Sequence, residues 1–331
     1  MSRSIITVIG SLNADLITRT SRIPSPGETL TSSSFSIGCG GKGANQAVAC
    51  VRLSRPKKRD ARLKASHDDA AASILVRMEG AVGDDAFGQS LIGALEGDGI
   101  DVSGVQVRRD GGTGVAVILV VEGSGENRIL LSPGANATLR PEAFGSLATP
   151  VPDLLVVQLE IPLDTVLATL RAAAACSPPV PVLFNPAPAA ATLPQWAYEM
   201  VEHLVVNETE AAILYGASEE HVRSNLSQVG KEFQRRGARN VVITLGKSGS
   251  WFTSGSGEDG QQVVAAARAD VVDTTGAGDT FIGAYAVSVV QQRREGGRFS
   301  IRSAVEWANR AAAKAVEREG AMESIPWLDE V

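Results

Sequence analysis

The chain has 331 residues, 44% hydrophobic and 21% charged, a globular balance that allows one large α/β domain or two small ones. Its formal charge of −6 argues against a general nucleic-acid binder, whose affinity for phosphate comes from excess Lys and Arg. No run approaches the ~18 apolar residues of a membrane helix, and the first apolar run, closing at Gly10, is too short for a secretion signal, so a soluble intracellular protein is expected.

Ile5 to Ile9 is a continuous apolar run closed by Gly10 and Ser11 and predicts a buried central strand. Open α/β sheets bind ligands beyond the C-terminal ends of their strands, which draws attention to Asn13 and Asp15. Both residue types favour turns, and both also suit adjacent sugar hydroxyls. Leu16 to Thr20, Glu28 to Ile37, Val115 to Val121 and Arg128 to Leu131 read as strands of a separate sheet, the last two joined at Gly123 Ser124 Gly125. They interrupt the βα alternation. The expectation is a small β lid, or else an antiparallel edge extension.

Gly38, Gly40 and Gly43 satisfy GxGxxG, but the preceding strand belongs to the lid and Asp60 falls in a basic tract, so a dinucleotide fingerprint is rejected. Gly43 after Lys42 also breaks the Walker A pattern, as does Val241 ahead of Gly246 Lys247 Ser248. A loop whose backbone, with Lys42 and Asn45, approaches a polyhydroxyl ligand fits better. Arg55, Lys57, Lys58, Arg59, Arg62 and Lys64 form a basic tract within an insertion at about residues 54–73, read as solvated, with a nuclear-localisation or anion-binding patch as the sharper alternative. Cys39, Cys50 and Cys176 form no CxxC pair and read as free thiols, Cys39 as a small filler. His67, His203 and His221 lack metal-ligand spacing.

Alternation then resumes, with strands at Ile74 to Val82, Leu154 to Gln158, Val180 to Phe184, Leu204 to Val206 and Asn240 to Leu245, and helices at Phe87 to Leu95 and Leu163 to Cys176. Asn207 and Glu210 have the spacing of a helix capping box. Gly246 to Gly249 by itself reads as a turn. Ala269 to Val272 predicts a strand leading into Asp273 Thr274 Thr275 Gly276 Ala277 Gly278 Asp279 Thr280 Phe281, with a buried helix over Thr280 to Val290. Two glycines at a helix N-terminus make an anion cradle of N–H groups with roughly +0.5 of dipole charge. Asp279 in that cradle is either a helix cap or a general base. Asp273, just before the turn, either pairs with a Lys or Arg or belongs to a cation site completed by the end of a helix near Gly320.

Asp273 to Phe281 resembles the second signature of the PfkB-type carbohydrate kinases, the ribokinase family, and Gly40 to Ala47 resembles the first. The resemblance extends from Ile6 to Trp327 and departs from the family between Leu53 and Ile74. It implies a three-layer α/β/α sandwich with a mostly parallel central sheet: residues 1–13, 38–104 and 132–331 as core, 14–37 and 105–131 as β lid. It implies ATP-dependent phosphorylation of D-ribose at O5, with Asp279 as base and Gly276, Ala277 and Gly278 as anion hole. Asn13, Asp15, Gly41, Lys42, Asn45 and Glu160 are implied to hold the sugar. Asn207 and Glu210 would lie near the phosphates and Mg²⁺, Thr244, Gly246, Ser248 and Gly249 along the nucleotide phosphates, and Asn309 near the adenine. Potassium would be held at Asp273, Thr275, Ala315, Arg318, Gly320 and Ser324, largely through backbone oxygens. A cytoplasmic homodimer joined through the lid is expected, without membrane or nucleic-acid partners. A kinase for another sugar or nucleoside, or a catalytically silent sensor, is the alternative.

Overall fold

The computed structural model describes residues 3–57, 73–123, 127–189, 192–255, 261–296 and 298–331. The basic tract from Lys58 onward and the turn residues Ser124 and Gly125 lie outside them. Strand β1 (Ser4–Ile9) leads through Gly10 to Leu12 into β2 (Asn13–Thr20), then β3 (Ser34–Gly40) and α1 (Lys42–Leu53). β4 (Ile74–Gly83), α2 (Ala86–Gly97) and β5 (Asp101–Arg108) follow, then β6 (Gly114–Val121) and β7 (Asn127–Ser132). Next come β8 (Leu154–Val157), α3 (Leu163–Ala175), β9 (Val182–Phe184), α4 (Gln195–Glu199) and β10 (His203–Asn207). The chain continues with α5 (Glu208–Tyr215), α6 (Glu219–Ser224), α7 (Leu226–Arg236), β11 (Asn240–Thr244), β12 (Ser250–Ser254) and β13 (Gln261–Val264). It closes with α8 (Ala277–Arg294) and α9 (Ile301–Ala315).

Nine strands form one sheet in the order β13-β12-β11-β10-β9-β8-β1-β4-β5, parallel except where β12 pairs with β11 and β13. β1 lies between β8 and β4, parallel to both, which is why its apolar run is continuous rather than alternating. Residue alternation sends Ile6, Val8, Val156 and Val205 to one face, under α1, α8 and α9, and Ile9, Leu155, Val157 and Val206 to the other, under α3, α5 and α7. The result is a three-layer sandwich with a separate core on each side of the sheet.

A second sheet, in the order β3-β2-β6-β7, springs directly from the C-terminal end of β1. β2 is antiparallel to β3 and parallel to β6, and β6 and β7 form an antiparallel pair running to Val120 opposite Asn127. Residues 38–40 finish β3 in this sheet, whereas 105–108 finish β5 at the edge of the large sheet. Both segments thus lie across the boundary expected from sequence.

Two expected elements differ. Residues 269–272 form no strand: Val271 and Val272 are exposed, and the N–H groups of Val272 and Asp273 both donate to the carbonyl of Val316. The segment is thereby tied to the chain after α9 instead of to a sheet. α9 ends at Ala315, five residues before Gly320, and Arg318 N closes its last turn on Ala315 O.

Candidate active site

Gly41 occupies the N-cap of α1 at φ 91°, with backbone so close that a side chain would meet Asn13 N at 2.7 Å and Ser11 O at 2.9 Å. Only glycine is unstrained there. This contact holds the start of α1 against the end of β1 and brings the main chain of Lys42 to Glu160, whose Oε2 accepts from Lys42 N at 3.0 Å. The same oxygen accepts from Ser11 Oγ at 2.6 Å and Asn13 Nδ2 at 3.4 Å. Asn13 Oδ1 in turn accepts from Asn136 Nδ2 at 2.8 Å. Asn13, Asp15, Lys42, Asn45 and Glu160 thus converge from β2, α1 and the segment after β8.

Asp15 is buried, and its pKa is raised to about 7, first by burial and then by Glu160, Glu323 and Asp279. Burial opposes the charge on Lys42, but Asp279, Glu160 and Glu210 more than offset it and hold its pKa above the usual lysine value. Cys39, paired with Ala14 in the lid, has its thiol pushed up by burial, Glu323 and Asp15, against reactivity. Asn45 Oδ1 is a buried acceptor without a partner among the described residues.

Gly276, not Asp279, caps α8; it adopts φ 76°, and a side chain there would meet Ala321 O at 2.8 Å. Asp279 is therefore free of the capping role. The Ala277 N–H donates to Thr274 O at 3.3 Å, and Thr280 N to Gly276 O at 2.8 Å. The N–H groups of Gly278 and Asp279 between them have no backbone acceptor among the described residues. Asp279 is buried, its Oδ2 accepting from Asn45 Nδ2 at 3.0 Å and its Oδ1 from Gln46 Nε2 at 2.9 Å. A cavity of about 240 Å³ opens before this turn, lined by Lys42, Asn207, Glu210, Thr244, Gly278 and Asp279.

Asn207 and Glu210 form the capping box of α5, Glu210 N donating to Asn207 Oδ1 at 2.8 Å and Asn207 N to Glu210 Oε2 at 2.9 Å. Burial raises the Glu210 pKa, against hydrogen bonds and the Lys42 charge. Gly246, Ser248 and Gly249 form a turn at the end of β11, outside that cavity's lining. Asn309 accepts from Ser250 Oγ at 2.8 Å and donates to the carbonyls of Val264 and Ala265, both at 3.3 Å. Its amide therefore fixes the strand end beside it.

The Asp273 carboxylate accepts from Thr275 N at 2.9 Å, Thr275 Oγ1 at 2.7 Å and Gly320 N at 3.1 Å. Burial opposes its charge, but these bonds and the charge of Arg19 hold its pKa below the usual value. Ser324 is buried with Oγ on Ala321 O at 2.9 Å, and the Arg318 side chain pairs with Glu330 at 3.1 Å, leaving only main chain of Arg318 for the turn. Ser11, Gln46, Asn136 and Asn185 were not singled out from sequence as site residues. Asn185 directly follows β9, so the rule that drew attention to Asn13 applies to it equally.

The model of the pfkB family of carbohydrate kinases matches residues 4–328. A ribokinase of Schizosaccharomyces pombe is 40% identical over 335 residues, covering 98% of this chain and 96% of the relative. A deoxyribokinase of Salmonella typhi is 35% identical, covering 98% and 96%. The structure of Arabidopsis thaliana ribokinase complexed with ribose and ATP superposes with a TM-score of 0.78 at 27% identity, covering 100% of this chain and 97% of that one.

Proposed function

The chain belongs to the pfkB family of carbohydrate kinases, and from that premise we propose that it transfers the γ-phosphoryl group of ATP to O5 of D-ribose, giving ribose 5-phosphate and ADP. The observation that carries this is Asp279, buried at the start of α8 with both oxygens oriented by Asn45 and Gln46 and with N–H groups beside it that have no backbone acceptor among the described residues. As O5 attacks, Asp279 takes its proton, and the turn from Gly276 to Gly278 stabilises the transferring charge. The carboxylates of Asp15 and Glu160, with Asn13, Asn45, Lys42 and the main chain of Gly41, take the remaining hydroxyls. The orphaned Asn45 Oδ1 is an acceptor that a sugar O–H would satisfy. Thr244, Gly246, Ser248 and Gly249 would border the nucleotide phosphates, with Asn309 positioning the segment beside the base.

The oxygen-rich edge formed by Glu210 and Asn207 fits Mg²⁺, a hard ion held by one or two carboxylates plus phosphates. A divalent ion there would favour the charged form of a carboxylate whose pKa burial raises. When bound with ATP it offsets phosphate charge. Asp273, whose carboxylate is held by Thr275 and the Gly320 N–H, would share a potassium ion with Thr275 and the main-chain oxygens of Ala315, Arg318, Gly320 and Ser324, a hard-oxygen set that would brace the turn. Titrating K⁺, Na⁺ and Cs⁺ at constant ionic strength should raise kcat with K⁺ above the others. A rate indifferent to cation identity removes the site.

The second sheet is proposed to act as a lid and as a dimer surface. Its register lines Ile37, Leu16, Val117 and Leu130 across one face, with Phe35 in the next row on the same side. Phe35, Ile37 and Leu130 are 59%, 56% and 70% exposed and lie together on that face, the kind of apolar patch that suits a protein–protein contact. Ile37→Asp combined with Leu130→Asp should convert a dimer to a monomer in sedimentation; a wild-type monomer refutes the dimer. Among the described residues no helix is long and apolar enough to cross a membrane. The cytoplasm is the proposed compartment, and a fluorescent tag on the full chain and on one lacking residues 55–64 tests nuclear import. A kinase assay across ribose, 2-deoxyribose, other pentoses, hexoses and nucleosides tests the substrate; equal turnover of 2-deoxyribose would broaden the assignment.

A further inference from the structure

Behind Asp279 runs a chain of buried amides. Gln46 and Gln158 are fully buried, and Asn185 is 8% exposed. Gln46 Nε2 donates to Asp279 Oδ1 at 2.9 Å and to Asn185 Oδ1 at 3.2 Å, while its Oε1 accepts from Gln158 Nε2 at 2.7 Å. Asn185 Nδ2 donates to the carbonyl of Val205 at 3.0 Å.

The direction of every amide in this chain is set by its two ends, because a main-chain carbonyl and an ionised carboxylate can only accept. Asn185 must turn its NH₂ to Val205, which leaves its carbonyl facing Gln46. Gln46 must then give both of its N–H groups, one to Asn185 and one to Asp279, which leaves its carbonyl for Gln158. Gln158 must therefore donate. Its own Oε1 has no partner among the described residues and lies 1.9 Å from where a side chain at Gly10 would begin, so the amide is boxed in. Flipping any one member sets oxygen against oxygen among buried side chains.

We infer that Gln158, acting through Gln46, is a positioning residue that fixes the facing of the Asp279 carboxylate during phosphoryl transfer; this rests on the reading of Asp279 as the base. Asn45 holds the other carboxylate oxygen, so the relay leaves the carboxylate one orientation and keeps a lone pair for the substrate hydroxyl. A set of amides that only satisfied one another would stabilise the fold without reaching the chemistry.

The two roles separate in the pH profile of kcat, measured on whichever sugar the wild type turns over. In Gln158→Glu the new carboxyl, buried and so titrating above the usual range, donates to Gln46 when protonated and keeps the relay intact. Once ionised it can only accept. Gln46 must then turn its carbonyl towards Asp279, which loses a donor. Turnover of Gln158→Glu should therefore fall by about 10-fold as pH rises from about 5 to 8, the worth of one hydrogen bond to a charged group. Gln158→Met, which cannot donate at any pH, should lose a few-fold without this slope. Adding Gln46→Met to Gln158→Glu should abolish the slope. Asp15, Lys42 and Glu210 also face Asp279, and they are common to every profile. A wild-type profile for Gln158→Glu, or a slope that survives in the double variant, overturns the relay. If Gln158→Glu does not fold, Gln46→Met alone carries the test: kcat should fall by about 10-fold with the KM for the sugar nearly unchanged, and an unchanged kcat, or a loss confined to KM, overturns the relay. A wild type inactive on every sugar overturns the kinase reading and the relay together; an active wild type separates the two.

Discussion

At the proposed phosphoryl end of the site, Gly276 to Asp279 present N–H groups and a carboxylate within four consecutive residues. At the proposed sugar end, Asn13 and Glu160 meet from 147 residues apart, joined by Lys42 and Asn45 from a third segment. The first depends on local backbone conformation and the dipole of one helix. The second depends on tertiary packing that presses several carboxylates into one small volume and raises Asp15 to about 7. The phosphoryl end should therefore fail abruptly when altered, and the sugar end by degrees and with pH.

Asp279→Asn should break the comparison at its strongest point. The amide keeps the shape but cannot accept the hydroxyl proton, so kcat should fall on the order of 10² to 10⁴ fold, the range for a lost general base. Calorimetry should find ATP binding retained. Near wild-type turnover would leave Asp279 without a catalytic role.

Asp15→Ala should act on the other end alone. Loss of a charged acceptor costs roughly 1.5 to 3 kcal/mol, which a ribose titration would read as an affinity lower by about 10- to 100-fold. ATP affinity should stay nearly constant. An equal loss for both ligands would dissolve the division between the two ends.

The smallest expected effect is the pH dependence of the sugar end. Asp15 is raised from 3.8 to about 7, so below pH 7 it becomes protonated in the free enzyme and its second acceptor oxygen is lost to the sugar. Ribose affinity should weaken by up to about 10-fold between pH 8 and 6. For folding the sign is opposite. The folded state binds this proton more tightly than the unfolded chain, so the contribution of Asp15 to stability is fully present below 3.8 and is lost as pH rises through about 7. Asp15→Asn should flatten both trends, and a ribose titration whose pH slope survives that change would assign it to another group.

Much of the fold was legible because β1 and β8 to β11 are short apolar runs bounded by polar residues, and the turn at Gly276 announces itself through its glycines. Residues 269–272 misled because a buried strand and an extended segment hydrogen-bonded to Val316 share one apolar pattern; pairing partners are not written in a local run. Asp279 could be read as a cap or a base, and the positive φ of Gly276, which places the cap three residues upstream, removes the capping reading. Ser11, Gln46 and Asn185 carry common polar side chains whose importance comes from what they meet across the sheet.

The most direct test of the account follows the atom that receives the phosphoryl group. Uniformly ¹³C-labelled D-ribose and ATP should be turned over by the wild-type chain, and the product examined by NMR for carbon–phosphorus coupling. Coupling at C5 and its neighbour C4 is the result expected if Asp279 and the Gly276 turn act on the 5-hydroxyl. Coupling at C1, or no product formed with ribose, would contradict it.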